Sequence, residues 1–300
     1  MPDDFDEPDT VSCMTIAFNR RTFLLGSAAA ATLAACGSSG PSPDRLAIRF
    51  PDGFRAPSVA VTGHGAQRFP FVIVADDGLP MVSNNPETID IEVIFEGETL
   101  EIVTVPASGV GQFNPYYALT FTPPAAGSYI ARTDFSEFDV EFVVVEREDT
   151  TLWQVGETLP GFDTPTFDDI RGVNPICTRP GEACPFHEIT LNEALSNGRA
   201  TALLISTPAF CQTDVCGPSL ENLINGAAGR DDINIIHQEV YADFGRDTET
   251  GILPELAPLL LDWDLAFEPS LFVMDADATI LGARHFAFDS AETEELLSLI

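Results

Sequence analysis

The sequence pattern changes near Thr150, and this change constrains the fold more than any other feature. Between residues 44 and 148, short alternating or wholly apolar runs are separated by turn-forming Gly, Pro and Asp residues. Strands at such regular, short spacing predict an antiparallel β-sandwich. From residue 149 to residue 300, apolar strand-like runs alternate with helical patterns, which predicts an α/β domain.

The predicted elements follow from the periodicity of apolar residues. In the first half, strands are predicted at 69–74, 89–95, 100–105, 117–121, 129–133 and 140–145. The second half begins with a short helix at 191–195. A strand is predicted at 202–206, a helix at 219–228, a strand at 233–241 and a helix at 252–263. A hairpin at 271–288 and a terminal helix at 291–300 complete this half. The order after the first helix is therefore βαβ, then α, ββ and α.

The charge of the chain excludes several classes of function. The formal net charge is −33, and all 14 basic residues are Arg. An acidic surface of this strength repels phosphate backbones, so we expect no nucleic-acid partner. Schiff-base and P-loop chemistry each need a lysine amine, and the sequence contains none.

The first 35 residues read as an export signal. Arg20 and Arg21 precede an apolar run that ends at Ala35 and is shorter than the roughly 20 residues that span a bilayer. The arginine pair resembles a twin-arginine signal, and Leu33-Ala34-Ala35-Cys36 resembles a bacterial lipobox. This resemblance implies lipidation of Cys36, a flexible tether over residues 36–43, and a protein anchored on the extracytoplasmic face of the cell membrane.

A predicted location outside the cytoplasm is permissive for disulfides. Apart from Cys36 and the cysteine within the signal, the sequence has two close pairs, Cys177 with Cys184 and Cys211 with Cys216. The second pair lies where an apolar strand meets a helix. A thiol at a helix N-terminus has a lowered pKa and becomes a nucleophile in disulfide exchange. Phe210 supplies an apolar surface for a partner polypeptide beside this pair.

Two stretches resemble known families. Pro-Ala-Ala-Gly-Ser-Tyr129 is similar to the corner of immunoglobulin-like domains, where a Tyr hydroxyl bonds back to the backbone. Residues 207–218 and Phe267-Glu268-Pro269-Ser270 resemble the thioredoxin-like superfamily, and are similar to bacterial thioredoxin-like lipoproteins over residues 159–300. The predicted fold is thus an immunoglobulin-like sandwich followed by a thioredoxin-like domain.

The thioredoxin-like resemblance implies roles for particular residues. Cys211 attacks, Cys216 resolves, and Pro269 forms a cis peptide bond that faces the cysteines and positions the substrate. The implied partners are protein thiols and disulfides outside the cytoplasm, and no cofactor is implied. Glu239 and Glu268 are candidates to accept a proton from the resolving thiol, if burial raises their pKa.

The spacing of the redox pair departs from the Cys-x-x-Cys of thioredoxins. Five positions turn Cys216 about 140° away from Cys211 on a continuous helix. A disulfide therefore needs a loop at the helix start that brings the two Cα atoms within about 7 Å. One class of peroxiredoxins has the same spacing, so a thiol peroxidase is an alternative, although Pro208 stands where those enzymes carry Thr. A binding lipoprotein with a merely structural disulfide is a third hypothesis.

The other cysteines have residue types that suit a metal. Cys177 and Cys184 are followed by His187, but zinc needs a fourth ligand and none follows at a familiar spacing. The sequence therefore predicts a structural disulfide between Cys177 and Cys184 and no metal site. His237 lies in the middle of a predicted strand and is interpreted as structural.

Overall fold

A computed structural model describes residues 45–48, 63, 65–75, 78–211, 215–243, 255–265 and 268–300. The predicted signal peptide, the tether and Cys36 lie outside these residues, so the predictions for them stay predictions. Within these ranges, no helix is both long enough and apolar enough to span a bilayer.

The first half of the chain forms one antiparallel seven-stranded sheet, called here the N-terminal sheet. Its strands are β1 (Arg45–Ile48), β2 (Gln67–Val74), β3 (Thr88–Phe95), β4 (Glu98–Ser108), β5 (Tyr116–Phe121), β6 (Gly127–Arg132) and β7 (Val140–Val144). They lie in the order β1-β2-β5-β4-β3-β6-β7, and β1 contacts β7. The sheet therefore curls until its two edges nearly meet.

The observed sheet differs from the predicted two-sheet sandwich. The long strand β4 pairs with β3 along most of its length, and with β5 only through Ala107 and Ser108. One strand thus joins what would otherwise be two separate layers. Buried aromatic side chains fill the space inside, among them Phe69 and Phe142, whose ring centroids are 4.8 Å apart.

The corner before β6 has the hydrogen bonding that the sequence predicts. The Tyr129 hydroxyl donates to the Ala125 carbonyl oxygen at 2.6 Å, and it accepts a longer bond from the Ala125 amide at 3.4 Å. Tyr129 is fully buried, so this bond satisfies a hydroxyl group that has no access to water.

The second half forms a mixed four-stranded sheet, called here the C-terminal sheet. Its elements are α1 (Leu191–Ser196), β8 (Thr201–Ile205), α2 (Cys216–Gly226), β9 (Asn234–Gln238), α3 (Pro258–Trp263), β10 (Ser270–Met274), β11 (Ile280–His285) and α4 (Ser290–Leu297). The strand order is β11-β10-β8-β9, in which β8 and β9 are parallel and β10 is antiparallel to both of its neighbours.

Helices cover both faces of this sheet. Apolar side chains of α1 and α3 share one buried cluster with β8, and those of α2 and α4 share another. The central strands β8 and β10 are buried at every position, which agrees with their continuous apolar sequence. The predicted order of elements in this half is confirmed.

One predicted helix boundary is wrong. A helix was expected over 252–263, but Leu256 pairs with Tyr241 in an isolated β-bridge and α3 begins at Pro258. Proline is favoured at the first helical position, where its missing N–H leaves no bond unmade. The pairing of Leu256 keeps the preceding backbone extended.

The N-terminal sheet packs against the start of α2 and the segment between β11 and α4. Apolar residues of β2 and β5 meet residues at the start of α2 and before α4, in a cluster called here the interdomain cluster: Val72, Val74, Tyr116, Val215, Cys216 and Ala287. At its side, Arg68 Nε lies 2.6 Å from Glu292 Oε1, and the Tyr116 hydroxyl donates to Glu292. The N-terminal sheet is therefore built into the structure around α2.

Candidate redox site

Cys211 and Cys216 lie at the junction between β8 and α2, as the sequence predicts. α2 begins at Cys216, so Cys211 belongs to the loop that precedes the helix. The Cys216 amide donates to Cys211 Sγ at 3.4 Å. The sulfur of Cys211 therefore lies at the first N–H groups of the helix, where the helix dipole favours a negative charge.

Cys216 is the less accessible of the two thiols. It is fully buried, whereas Cys211 is partly exposed. Burial raises the pKa of the Cys216 thiol well above its usual range, and the nearby Cys211 and Glu268 raise it further. Cys216 is therefore a protonated thiol that needs a base before it can attack a disulfide.

Glu268 is the carboxyl group that lies next to this thiol. Its Oε2 accepts a hydrogen bond from Cys216 Sγ at 3.4 Å. Burial raises the pKa of Glu268 to about 8, and the charge of Cys211 adds to this shift, while bonds from Cys216 and the Thr207 backbone oppose it. A carboxyl group with this pKa can take up a proton near neutral pH.

Glu239, the other predicted candidate, lies elsewhere. It is buried, and it accepts a hydrogen bond from the Thr178 amide. Burial raises its pKa to about 7, and His237 opposes that shift. The structure therefore brings Glu268 to Cys216 and places Glu239 beside Thr178 and His237.

Pro269 and Phe210 are the remaining predicted site residues. The Glu268–Pro269 peptide bond is cis, as predicted, and Pro269 leads directly into β10. The Pro269 carbonyl oxygen accepts a hydrogen bond from the Phe286 amide at 2.9 Å. Phe210 is half-buried against the core that contains α1 and α3. Gln212, Thr213 and Asp214 lie outside the described ranges.

Sequence reasoning missed the contribution of the N-terminal sheet to this site. Val72, Val74 and Tyr116 pack in the interdomain cluster with Cys216, and Cys211 packs against its edge. These residues lie in strands that carry no chemical motif, so only the tertiary arrangement connects them to the cysteines. The N-terminal sheet thus forms one side of the candidate redox site.

A second cluster of thiols and imidazoles lies near the first. Cys177, Cys184, His187 and His237 are buried, and their ligand atoms all lie within 4.8 Å of one another. All four cysteines of the described residues are free thiols here, and the disulfide between Cys177 and Cys184 stays a prediction. His237, interpreted from the sequence as structural, comes from β9 and is the fourth member of this set.

No family model and no curated protein matches the sequence. Solved structures similar to the chain include a thiol:disulfide interchange protein of the thioredoxin family from Chlorobium tepidum, at 13% identity and a TM-score of 0.31, covering 48% of this chain and 95% of that one. A putative protein disulfide isomerase from Bacteroides thetaiotaomicron is 14% identical, with a TM-score of 0.31 and coverages of 48% and 91%. The exposed lipoprotein thioredoxin of Streptococcus pneumoniae is 17% identical, with a TM-score of 0.26 and coverages of 35% and 85%.

Proposed function

We propose that this chain is a thiol–disulfide oxidoreductase that acts outside the cytoplasm from a lipid anchor on Cys36. The observation that carries the proposal is the hydrogen bond of 3.4 Å from Cys216 Sγ to Glu268 Oε2, beside a partly exposed Cys211. A structural disulfide needs no base, whereas a resolving thiol does.

The first step is an attack by the Cys211 thiolate on a disulfide of a partner protein. A bond forms between Cys211 Sγ and one partner sulfur, and the other partner sulfur leaves as a thiolate. The Cys216 amide stabilises the negative charge on Cys211 before the attack, since it donates to that sulfur.

The second step resolves this mixed disulfide. Cys216 gives its proton to Glu268 and attacks Cys211 Sγ, and the second partner sulfur leaves as a thiolate. The partner disulfide is thereby reduced to two thiols, while the two cysteines of this chain are oxidised to a disulfide. The same steps in reverse oxidise a partner dithiol, and the relative reduction potentials determine the direction.

The surroundings of the pair restrict the partner. Phe210 offers an apolar contact, and the backbone at Pro269 lies next to Glu268, where it can position an extended polypeptide. Because the chain carries a net charge of −33, a partner with a neutral or basic face approaches most readily.

Trapping of the mixed disulfide tests the activity. With a disulfide-containing protein as substrate, Cys216→Ser should accumulate a covalent complex, and Cys211→Ser should form none, because only Cys211 attacks. Absence of a complex with Cys216→Ser contradicts the proposal. A reduction potential of the wild-type pair well below about −300 mV contradicts it as well, since that range is typical of structural disulfides. Hydrogen peroxide consumption that depends on Cys211 would instead assign a thiol peroxidase.

The anchor is tested separately. Cells that express the full-length chain should incorporate a labelled fatty acid into it and retain it in the membrane fraction, and Cys36→Ser should abolish both. Label that persists in Cys36→Ser contradicts the proposed lipidation site.

A further inference from the structure

Four side chains with metal-binding chemistry converge in the second cluster. Cys184 Sγ lies 3.4 Å from His187 Nε2 and 3.4 Å from His237 Nδ1. The Cys184 amide donates to Cys177 Sγ at 3.4 Å, so the two cysteines lie side by side. None of the four side chains is more than 7% exposed.

These distances fit a tetrahedral ion. Bonds of about 2.3 Å to sulfur and about 2.05 Å to nitrogen separate a sulfur from a nitrogen by about 3.5 Å and two sulfurs by about 3.8 Å. The two measured sulfur–nitrogen distances are both 3.4 Å, and the widest pair of ligand atoms lies within 4.8 Å. The cluster therefore needs movements of about 1 Å at most to reach the geometry of a bound ion.

A disulfide between Cys177 and Cys184 fits these surroundings less well. A disulfide sulfur carries no proton and is a weak acceptor, so it offers little to the two imidazole nitrogens that face Cys184. His237 is fully buried, so solvent water cannot replace a missing hydrogen-bond partner of its ring. A metal ion accepts the lone pairs of both rings and both sulfurs.

We propose that Cys177, Cys184, His187 and His237 bind one Zn²⁺ ion in a closed, structural Cys₂His₂ site. Two sulfur and two nitrogen ligands in tetrahedral arrangement are typical of zinc, and four protein ligands leave no open position for catalysis.

The charges balance at such a site. Zn²⁺, two thiolates and two neutral imidazoles sum to zero, which suits a buried position. Any proton still on a thiol is released to solvent when the ion binds.

A second layer of hydrogen bonds orients the ligands. His237 Nε2 lies 3.1 Å from the Ser206 carbonyl oxygen. Since a carbonyl oxygen only accepts, Nε2 carries the proton and Nδ1 keeps its lone pair for the ion. The Phe186 backbone donates to Cys184, which stabilises that sulfur as a thiolate.

The ion would hold a long irregular segment in place. Residues 150–190 form neither a helix nor a ladder strand, and three of the four ligands come from this segment. The fourth ligand, His237, belongs to β9, and its amide also donates to the Phe186 carbonyl oxygen at 3.1 Å. The segment then reaches the redox loop, because the Ala209 amide donates to Thr178 Oγ1 at 3.1 Å. This site does not depend on the proposed redox function.

Metal analysis of the full-length chain, purified reduced and without oxygen, tests the site. We expect one zinc per chain by elemental analysis. After the zinc is removed, added Co²⁺ should give the strong ligand-field and sulfur charge-transfer absorption of a tetrahedral thiolate site, and Zn²⁺ should displace it. Zn²⁺ should also raise the melting temperature of the metal-free chain, which needs no variant.

Matched serine variants locate the ion. Cys184→Ser should lose zinc and the Co²⁺ spectrum, while Cys216→Ser, which removes an equally buried cysteine of the redox pair, should retain one zinc per chain. Retention in Cys184→Ser with loss in Cys216→Ser overturns the proposal. It is also overturned if the reduced wild-type chain binds neither Zn²⁺ nor Co²⁺, or if chain isolated from its cells has an intact Cys177–Cys184 disulfide and no metal.

Discussion

At the scale of single residues, the proposed chemistry depends on the environment of Glu268. The carboxyl group is held between the Thr207 backbone and the buried thiol of Cys216, close enough to the charge of Cys211 to resist ionisation. Each of these neighbours changes the proton affinity of the same group. Its protonation state is therefore linked both to catalysis and to stability.

The resolving step should become faster with increasing pH, with a midpoint at or somewhat below about 8. Glu268 accepts the proton only when ionised. Burial raises its pKa to about 8, with a further contribution from the charge of Cys211, and that charge is absent once Cys211 is part of the mixed disulfide. In Glu268→Gln this midpoint should disappear and the step should slow by about 10²-fold or more. The measurement is the second phase of thionitrobenzoate release from the reduced chain, with the first phase, attack by Cys211, as the internal control. A midpoint near pH 8 that persists in the variant would place the base elsewhere.

The same carboxyl group should lower stability at high pH. A glutamate titrates near 4.3 when unfolded, and burial raises the pKa of Glu268 to about 8 in the folded chain. Between these values the folded state binds more protons, so the free energy of unfolding falls as pH rises and levels off above pH 8. Glu268→Gln should escape this loss and be more stable than wild type by about 1–3 kcal/mol at pH 9. Urea unfolding at pH 5, 7 and 9 measures the difference, and equal pH dependence in both proteins would contradict it.

The sequence predicts residues that are close along the chain or follow a familiar arrangement. Cys211, Cys216, Glu268 and the cis bond at Pro269 belong to this group, because the order of strands and helices brings the two loops together. His237 does not. Its spacing from Cys184 has no regularity, and its ring lies beside that sulfur because the segment before α1 runs along β9, where the His237 amide donates to the Phe186 carbonyl oxygen.

At the scale of elements, the corner before β6 shows how one hydroxyl group fixes a chain reversal. Tyr129 bonds back to Ala125, four residues earlier, at the point where the chain leaves a Pro-rich turn. Its ring stacks on Phe95 of β3, with centroids 4.5 Å apart. The same side chain thus fixes the turn and packs the core.

Removal of this hydroxyl group should destabilise the chain without changing its fold. Tyr129→Phe keeps the ring and its stacking, but leaves the Ala125 carbonyl oxygen without this donor. We expect a loss of about 1–2 kcal/mol in the free energy of unfolding, measured by urea denaturation with an unchanged m-value. Mixed-disulfide trapping should be the same as before, which serves as the control. An unchanged urea midpoint would show that the bond contributes nothing to stability.

The predicted boundaries of an element agree with the observed ones to within about two residues where the apolar pattern and the hydrogen bonding coincide, as in β3, β6 and β10. A predicted boundary is wrong where a tertiary contact ends the pattern. Leu256 is apolar enough to continue a helix, yet its backbone pairs with Tyr241 and the helix starts only at Pro258. The pairing of β4 with both β3 and β5, which joins the strands into one curled sheet, likewise does not follow from sequence periodicity.

At the scale of the whole molecule, an ion pair fastens the N-terminal sheet to the C-terminal sheet. Arg68 donates to both oxygens of Glu292 and to the Ala287 carbonyl, and both charged side chains are largely buried, with 13% and 16% exposed. Burial and the charge of Glu292 raise the pKa of Tyr116 far above its usual range, so its hydroxyl stays a donor. These contacts join strands of the first half to α4 at the end of the chain.

Loss of this ion pair should destabilise both sheets together. Glu292→Ala leaves the Arg68 charge without its partner in a mostly buried site, and we expect a loss of about 3 kcal/mol or more. The matched control is Asp139→Ala, which breaks an exposed ion pair with Arg132 and should cost less than about 1 kcal/mol. Circular dichroism and the labelling of Cys216 should give one coincident transition. Two separate transitions in the wild-type chain would show that the sheets unfold independently.

Salt should stabilise the whole molecule. With a net charge of −33, repulsion between carboxylates opposes the compact state. At 1 M NaCl the screening length falls to about 3 Å, which removes most of this repulsion and leaves buried ion pairs in place. The melting temperature should therefore rise between 0.05 M and 1 M NaCl. A melting temperature that is constant or falls over this range would show that repulsion between carboxylates does not limit the stability of the chain.

The change of pattern near Thr150 separates a strand-rich stretch from an α/β stretch in the sequence, but it gives no sign that the two pack against each other. Arg68, Tyr116 and Glu292 are ordinary residues in their own elements, and the sequence offers no pattern that pairs them. In such an acidic chain, opposite charges in the sequence do not predict which ion pairs form, because carboxylates greatly outnumber the Arg side chains.

The interdomain cluster also limits how this protein can diverge or be engineered. Cys216 packs against three side chains of the N-terminal sheet, which are Val72, Val74 and Tyr116. A graft of the α/β half onto another carrier would expose these contacts to solvent and remove one side of the cysteine pocket, so the transplanted pair would no longer have its native reactivity. Conversely, a substitution in β2 or β5 that favours a new binding partner alters the redox pair at the same time, which means that the two halves must change in concert.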